Sequence, residues 1–502
     1  MNKKGQVVIT VLLSVVTLAV IIIYSYANIF HYTANMDADI ASETLLAQVL
    51  YQNGHLQPDT WYASTANRIL GAPLLASFIY PLTGFDLNMA MGIACSVMTI
   101  VLVATMLFFC RQIGFSTLES LVAVLLMLVL SSPSNEPQRM LYLYASYYVG
   151  HFICMFLLLG FYSMTLKMGN VPLFIFVITI PMAILNGVQG MHANMFFYMP
   201  LLGTEILRRI VLFLKKKKAD SNVVTIWVIL VSAISLVCTK VFGSHMGDTS
   251  RNIRHAPEKF VEVVWPLFKE VLGYGRWPLL IILFIVMAIA GYLLMASNLK
   301  EEPELWSALP ILFGVIVTVL AMTFSTIEVA PRYFLMQIFV VGVGTALLLH
   351  LFKLEKSYLL AILVIAYGVN SALVFNEALI LRDNSADSEY VKVTDWMAEN
   401  GYTYGYSTFD HANTMTIMCD DKVKVRPLID MNNLEQLPWL SDKTWYPPYR
   451  DASEKVCYVV SQARTEDFQA FVDREHPQIL ETKAFDVFVV YVTDHDYTKP
   501  VE

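Results

Sequence analysis

Charge is what this sequence has least of. Only 15% of its 502 residues are Asp, Glu, Lys or Arg, whereas 56% are hydrophobic and mean hydropathy is +0.56. A water-soluble globule cannot carry that balance, so membrane residence is the first reading. The net charge of −7 says little about partners, because local placement of Lys and Arg matters more here than their sum, and nucleic acid is not an expected ligand. Cysteine is scarce too, with six residues. Cys95, Cys110, Cys154 and Cys238 fall in apolar runs where inert, buried thiols are expected. Cys419 and Cys457 lie in a polar tail and could pair in an oxidising compartment. That tail has no GxGxxG, P-loop or CxxC. The apolar part shows no internal repeat and has few ionisable residues near span centres, which counts against a transporter.

What is present is a series of about eleven apolar runs before Phe375, followed by acidic and polar chain. The spans read as 7–30, 86–110, 116–131, 141–165, 171–187, 193–214, 223–242, 277–297, 305–324, 333–351 and 357–378. The first is too long for a signal-peptide core and reads as an uncleaved span. Each added or removed span inverts every later loop, so the positive-inside rule tests the count. With a cytoplasmic N-terminus, Lys3, Lys4, Arg111, Lys167, Lys215 to Lys218, Lys300, Lys353 and Lys356 all fall inside, and the odd number leaves the tail outside. The expected fold is a polytopic α-helical membrane protein with about eleven transmembrane helices and a small soluble α/β domain at the C-terminus. The division is 1–384 for the transmembrane domain, whose long first outer loop (31–85) bears interfacial helices, and 385–502 for the extracytoplasmic domain.

Function is expected on the outer loops. Asn35-Met36-Asp37-Ala38-Asp39-Ile40-Ala41-Ser42-Glu43 sets three carboxylates where the chain leaves the first span, the position a general base needs, although one Asp should also cap the following helix. The turn from Ser325 to Tyr333 offers Glu328, Arg332 and Tyr333; a headgroup anchor would use the same residue types. The segment after Gly243 supplies His245, Arg251, Arg254 and His255, a basic outer loop suited to an anion. Gln189 and His192, in a polar stretch between two spans, are candidates for a sugar or acceptor pocket with Glu43, Trp61 and Tyr62. His151 and Glu205 lie within apolar runs, and Glu205 has Arg208 and Arg209 on the same helical repeat for a local ion pair.

The acidic loop, extended by Trp61-Tyr62-Ala63-Ser64-Thr65, resembles the first outer loop of the glycosyltransferase-C superfamily, integral membrane glycosyltransferases that use polyprenyl-phosphate-linked sugars. The plan of many spans, a long first outer loop with two interfacial helices and a soluble domain is similar too. The resemblance implies that Asp37, with Asp39 as alternative, is the general base. The family's usual Asp-Glu pair is replaced here by Asp-Ala-Asp, so the choice between them stays open. It further implies that outer-face cations, Arg332 with Tyr333 foremost, receive the donor phosphate. The expected activity is inverting transfer of a sugar from a polyprenyl-phosphate donor to a cell-envelope glycan, lipid or protein acceptor, without a cofactor or metal. A transporter, or a non-catalytic membrane scaffold of envelope polysaccharide assembly, is the alternative.

Overall fold

The structure is a computed structural model that describes residues 3–34, 36–64, 67–130, 139–143, 147–214, 222–242, 253–272, 277–299, 302–352, 357–380 and 384–500. His245, Arg251, the Lys215 to Lys218 cluster, Lys300, Lys353 and Lys356 lie outside the described residues. Among the described residues, eight helices are long and apolar enough to cross a membrane, and the protein is a multi-pass membrane protein. Helix is the form that satisfies every backbone N–H and C=O within one segment, as hydrocarbon requires. The expected runs 116–131 and 171–187 are shorter apolar helices, Thr117–Val129 and Leu173–Gln189. The run 193–214 is a turn of π-helix, Asn194–Tyr198, continuing into Met199–Leu214.

The chain divides into two compact units. The first comprises Met1–Ser25, Thr65–Gly71 and Cys95–Ala378. Its helices pack through small residues, since lipid tails supply no hydrophobic drive between spans and close backbone approach must replace it. The helix Pro278–Asn298 lies so near Met336–Phe352 that a Cβ on Gly344 would stand 2.7 Å from the Cβ of Ala288. Midway along Met199–Leu214, Glu205 is fully buried and takes Arg208 Nε at 2.8 Å and Arg209 Nε at 3.1 Å, the local ion pairing its spacing suggested.

The second unit comprises Tyr26–Ser64, Ala72–Ala94 and Leu379–Glu502. Its centre is a five-stranded sheet in the order β3-β2-β5-β7-β6, where β2 is Tyr404–Thr408, β3 Lys424–Leu428, β5 Val456–Ser461, β6 Ile479–Ala484 and β7 Phe488–Thr493. β2 runs parallel to β3 and β5; β7 is antiparallel to β5 and β6. Helices cover both faces, so the central strand β5 is apolar on both sides. Val393 and Met397 of Glu389–Glu399, with Ala412 and Met415 of Phe409–Met418, fill one face. Phe468 and Phe471 of Thr465–Glu475 fill the other. Cys419 and Cys457 are free thiols buried in the first of these cores; they do not form the disulfide their tail location allowed.

The first-loop helix Ala38–Gln52 belongs to this unit. Leu45, Leu46, Val49 and Leu50 form the stripe read from the sequence, but Ile40 to Ala47 are all buried as well. One flank packs on Ala72–Ile79 and another on Phe409–Met418, where Asn413 Nδ2 donates to Ser42 Oγ at 2.8 Å. Two residues of the loop, Trp61 and Tyr62 (β1), pair antiparallel with Ser441 and Asp442 (β4). Thr60 Oγ1 also donates to Asp442 Oδ2 at 3.0 Å, and Trp61 joins Leu46, Val49, Leu50 and Leu440 in a small apolar cluster.

Replacing Gly344 with Leu drives a branched side chain into the backbone of the neighbouring helix. Overpacking of this kind costs about 1–3 kcal/mol. The expected result is a lower thermal midpoint of the detergent-purified protein; an unchanged midpoint would contradict the close helix contact.

Candidate functional site

In the first unit, a short non-helical segment is held by one side chain. Gln189, at the end of Leu173–Gln189, accepts from the backbone N–H of Ile69 at 3.1 Å and of Leu70 at 2.6 Å through Oε1. Asn67 Nδ2 donates to the Val188 carbonyl at 3.2 Å. The segment also presses against the start of Val149–Met168: a Cβ on Gly150 would meet the Leu70 carbonyl oxygen at 1.7 Å, so glycine is required there. These contacts present Arg68, whose guanidinium carbon lies 4.2 Å above the Tyr147 ring.

Arg332 reaches the same ring from the turn after Leu309–Phe324. Its guanidinium carbon is 6.0 Å from the centroids of both Tyr147 and Tyr333, within cation–π range. That turn is extended from Ser325 and closes into a 3-10 turn at Pro331–Phe334. Lys259 fixes it by donating to the carbonyls of Ser325 and Ile327, each at 2.7 Å. Tyr148 lies within hydrogen-bonding reach of Arg332 and feels the charges of both arginines.

Between these groups sits His192, 3% exposed, with neither ring nitrogen hydrogen-bonded among the described residues. Its ring contacts Tyr148 at 5.4 Å, His151 at 6.2 Å and Tyr333 at 6.0 Å between centroids, and it too feels both Arg68 and Arg332. His151 Nδ1 is held by Asn186 Oδ1 at 2.8 Å. The π-helical turn Asn194–Tyr198 follows directly, an irregularity common at functional positions. Two guanidiniums, phenol hydroxyls and an uncommitted imidazole form a donor-rich cluster that suits an oxyanion such as phosphate.

The structure thus brings together Gln189, His192, Arg332 and Tyr333. It adds Arg68, Tyr147 and Tyr148, and joins His151, marked in the sequence by its place in an apolar run, to them. Arg68 was missed because it falls in the first outer loop, expected to bear interfacial helices; the structure begins the second of them at Ala72 and leaves Arg68 in the non-helical segment before it. A lone arginine in such a stretch was the available signal. Glu328 is exposed on the same turn, and Arg254 and His255 are exposed, His255 facing Glu258 at 3.4 Å.

In the second unit, Asp37 caps the helix Ala38–Gln52: its Oδ1 accepts from Ile40 N at 2.9 Å. Asp37 and Asp39 line a pocket of about 340 Å³ with Met36, Ala38, Tyr390, Phe409, Asp410 and Thr414. Asp410, on the first turn of Phe409–Met418, is a third carboxylate of this pocket that sequence reading did not select. Tyr390 OH meets His411 Nδ1 at 3.1 Å, and burial together with the Asp410 charge raises the phenol pKa. Glu43 is fully buried one turn further along the helix. Trp61 lies edge-on to Trp445 at 5.8 Å, and Lys443 Nζ sits 5.0 Å above the Tyr62 ring, so both aromatics join the loop to the C-terminal domain. Among the described residues, no three His, Cys, Asp or Glu side chains are grouped to hold a metal ion.

No protein-family model and no curated protein matches the sequence. Solved structures do. ArnT from Cupriavidus metallidurans, in the apo state, aligns over 98% of this chain and 98% of its own, with 12% identity and a TM-score of 0.53. The chain has the glycosyltransferase-C fold. The Archaeoglobus fulgidus oligosaccharyltransferase, in complex with zinc and sulfate, aligns over 89% of this chain and 68% of its own, with 11% identity and a TM-score of 0.50. Identity this low speaks for the fold, and the chemistry must be argued from the residues.

Asp37 separates two roles that mutation can split. Asn caps a helix about as well as Asp, whereas Ala loses about 1 kcal/mol. Asp37→Asn is therefore expected to unfold at the wild-type midpoint and Asp37→Ala lower; equal midpoints for all three would remove the cap from the account.

Proposed function

We propose that the protein is a membrane glycosyltransferase that moves a sugar from a polyprenyl-phosphate donor to a cell-envelope acceptor on the outer face of the membrane. The observation that carries this reading is the cluster in which Arg68 and Arg332 flank Tyr147 beside His192, within a glycosyltransferase-C fold. As the anomeric C–O bond breaks, both electrons pass to the phosphate oxygen, and preorganised guanidiniums and hydroxyls stabilise the charge that develops there. Arg68, Arg332, Tyr148 and Tyr333 supply those groups. His192 offers a further N–H without a competing partner.

The opposite step is removal of the acceptor proton. We assign it to Asp37, with Asp39 as the second candidate; both carboxylates line one pocket. The acceptor oxygen attacks the anomeric carbon as its proton moves to the carboxylate, and the sugar configuration inverts. The cap on Ile40 uses Oδ1 of Asp37 and fixes the orientation of the carboxyl plane. No step is routed through a metal. The N-terminus is assigned to the cytoplasm and the C-terminal domain to the outside, on the placement of basic residues beside the spans.

Transfer from a synthetic polyprenyl-phosphate sugar by purified protein tests the reading. Loss of general-base catalysis should lower the rate about 10²–10⁴-fold in either Asp37→Asn or Asp39→Asn. Arg68→Gln and Arg332→Gln should each lose about 10²-fold. Wild-type rates in both Asp variants would sink the base assignment, and wild-type rates in both Arg variants the phosphate site. A reporter enzyme active only outside the cytoplasm, fused after Glu502, is expected to be active; an inactive fusion of a stably inserted protein would reverse the orientation.

A further inference from the structure

The C-terminal domain contains a buried cation that none of the preceding chemistry uses. Arg426 lies in the middle of β3, opposite Tyr406 of β2, and is 3% exposed. Its guanidinium carbon stacks 3.9 Å from the Trp445 ring, and its charge is felt by Tyr404 and Tyr446. Its Nε and Nη1 have no hydrogen-bond partner among the described residues. A buried guanidinium is costly unless it is paired and its N–H groups are satisfied. Cation–π stacking on Trp445 and a hydrogen bond with Tyr404 offset part of that cost and leave Nε and Nη1 unanswered.

A second orphaned donor lies on the same face. Leu428 bridges antiparallel to Gln436, and residues directly opposite share a face, as do Arg426 and Leu428 two apart on β3. Gln436 is 4% exposed, and its Nε2 is also without an acceptor among the described residues. Nearby carbonyl capacity is already taken: Pro427 O accepts from Leu437 N at 3.4 Å and from Tyr446 OH at 2.5 Å. The nearby carboxylates are committed elsewhere. Asp442 takes Thr444 N at 2.8 Å and Thr60 Oγ1 at 3.0 Å, and Asp496 takes Tyr406 OH at 2.6 Å and Arg450 Nη1 at 3.0 Å.

Three buried N–H-bearing atoms without acceptors among the described residues, two of them on one guanidinium, call for oxygen atoms carrying negative charge. We propose that the C-terminal domain holds an oxyanion site, built on Arg426 and Gln436 and covered by Trp445, that takes a phosphate or carboxylate group. Arg presents two parallel N–H groups to such a ligand, and the half-buried Trp445 moves aside to admit it. This site lies in the second unit and is distinct from the Arg68–Arg332 cluster of the first.

The test uses the full-length protein in detergent, with inorganic phosphate or acetate replacing chloride at constant ionic strength. Arg68→Gln/Arg332→Gln serves as the background, so that phosphate binding at the proposed donor site does not enter. A ligand of the folded state raises the midpoint with its logarithmic excess over the dissociation constant, here about 1–3 °C at tenfold excess. The expected result is a saturable rise in this background with at least one of the two anions, accompanied by a change in tryptophan emission that Trp445→Phe removes. A response to phosphate alone assigns a phosphate ligand, and one to acetate alone a carboxylate. Arg426→Met should abolish the rise and Arg426→Lys weaken it; if Arg426→Met does not fold, Gln436→Leu should weaken it instead. No saturable shift with either anion overturns the proposal, as does a shift that survives in Arg426→Met, or in Gln436→Leu where Arg426→Met does not fold. Loss of the site would leave the donor-phosphate reading untouched, because that reading is judged by transfer rates of Arg68→Gln and Arg332→Gln.

Discussion

The constraint behind every candidate site is that backbone leaving a helix must find new hydrogen-bond partners. Side chains meet it here at three places, and each place carries a candidate functional residue. Gln189 takes the N–H groups of Ile69 and Leu70 and thereby sets Arg68 over Tyr147. Lys259 satisfies the carbonyls of Ser325 and Ile327 in the turn that leads to Arg332. Asp37 satisfies Ile40 N and so orients its own carboxyl group. Irregular backbone is expensive in this setting, and a chain that retains it gains side-chain directions a continuous helix cannot offer.

The two units solve packing differently. In the first, glycines and alanines let helices touch by backbone, because apolar surface alone gives no reason for spans to associate. In the second, hydrophobic burial organises a sheet with helices on both faces. The first outer loop draws its order from this second unit. The contact of Asn413 with Ser42, the pairing of β1 with β4 and the cluster of Trp61 with Leu440 hold the helix that begins at Asp37. The C-terminal domain therefore supports the acidic loop from which the proposed base projects, and Asp410 extends the same pocket.

Much of the fold was legible because it depends on local composition. Long apolar runs specify helices wherever they occur, and the alternation of β2, β5 and β7 with helical segments marked the tail as α/β. β6 escaped notice: Ile-Leu-Glu-Thr-Lys-Ala is exposed at nearly every position, as an edge strand can be, and carries no buried alternation. β1 and β4 are two residues each and exist only because distant segments meet.

For the candidate site, sequence determined residue types and their order along the chain: carboxylates after the first span, an Arg-Tyr pair before a late one, Gln189 and His192 between two others. Those follow from hydropathy and charge, which are properties of neighbouring residues. Tertiary structure alone decided that Arg68 and Arg332 share the Tyr147 ring, that Asp410 joins Asp37, and that Arg426 is buried without a carboxylate. Each of these rests on segments tens to hundreds of residues apart. No local pattern encodes such a meeting, because it is fixed by how the helices and strands pack.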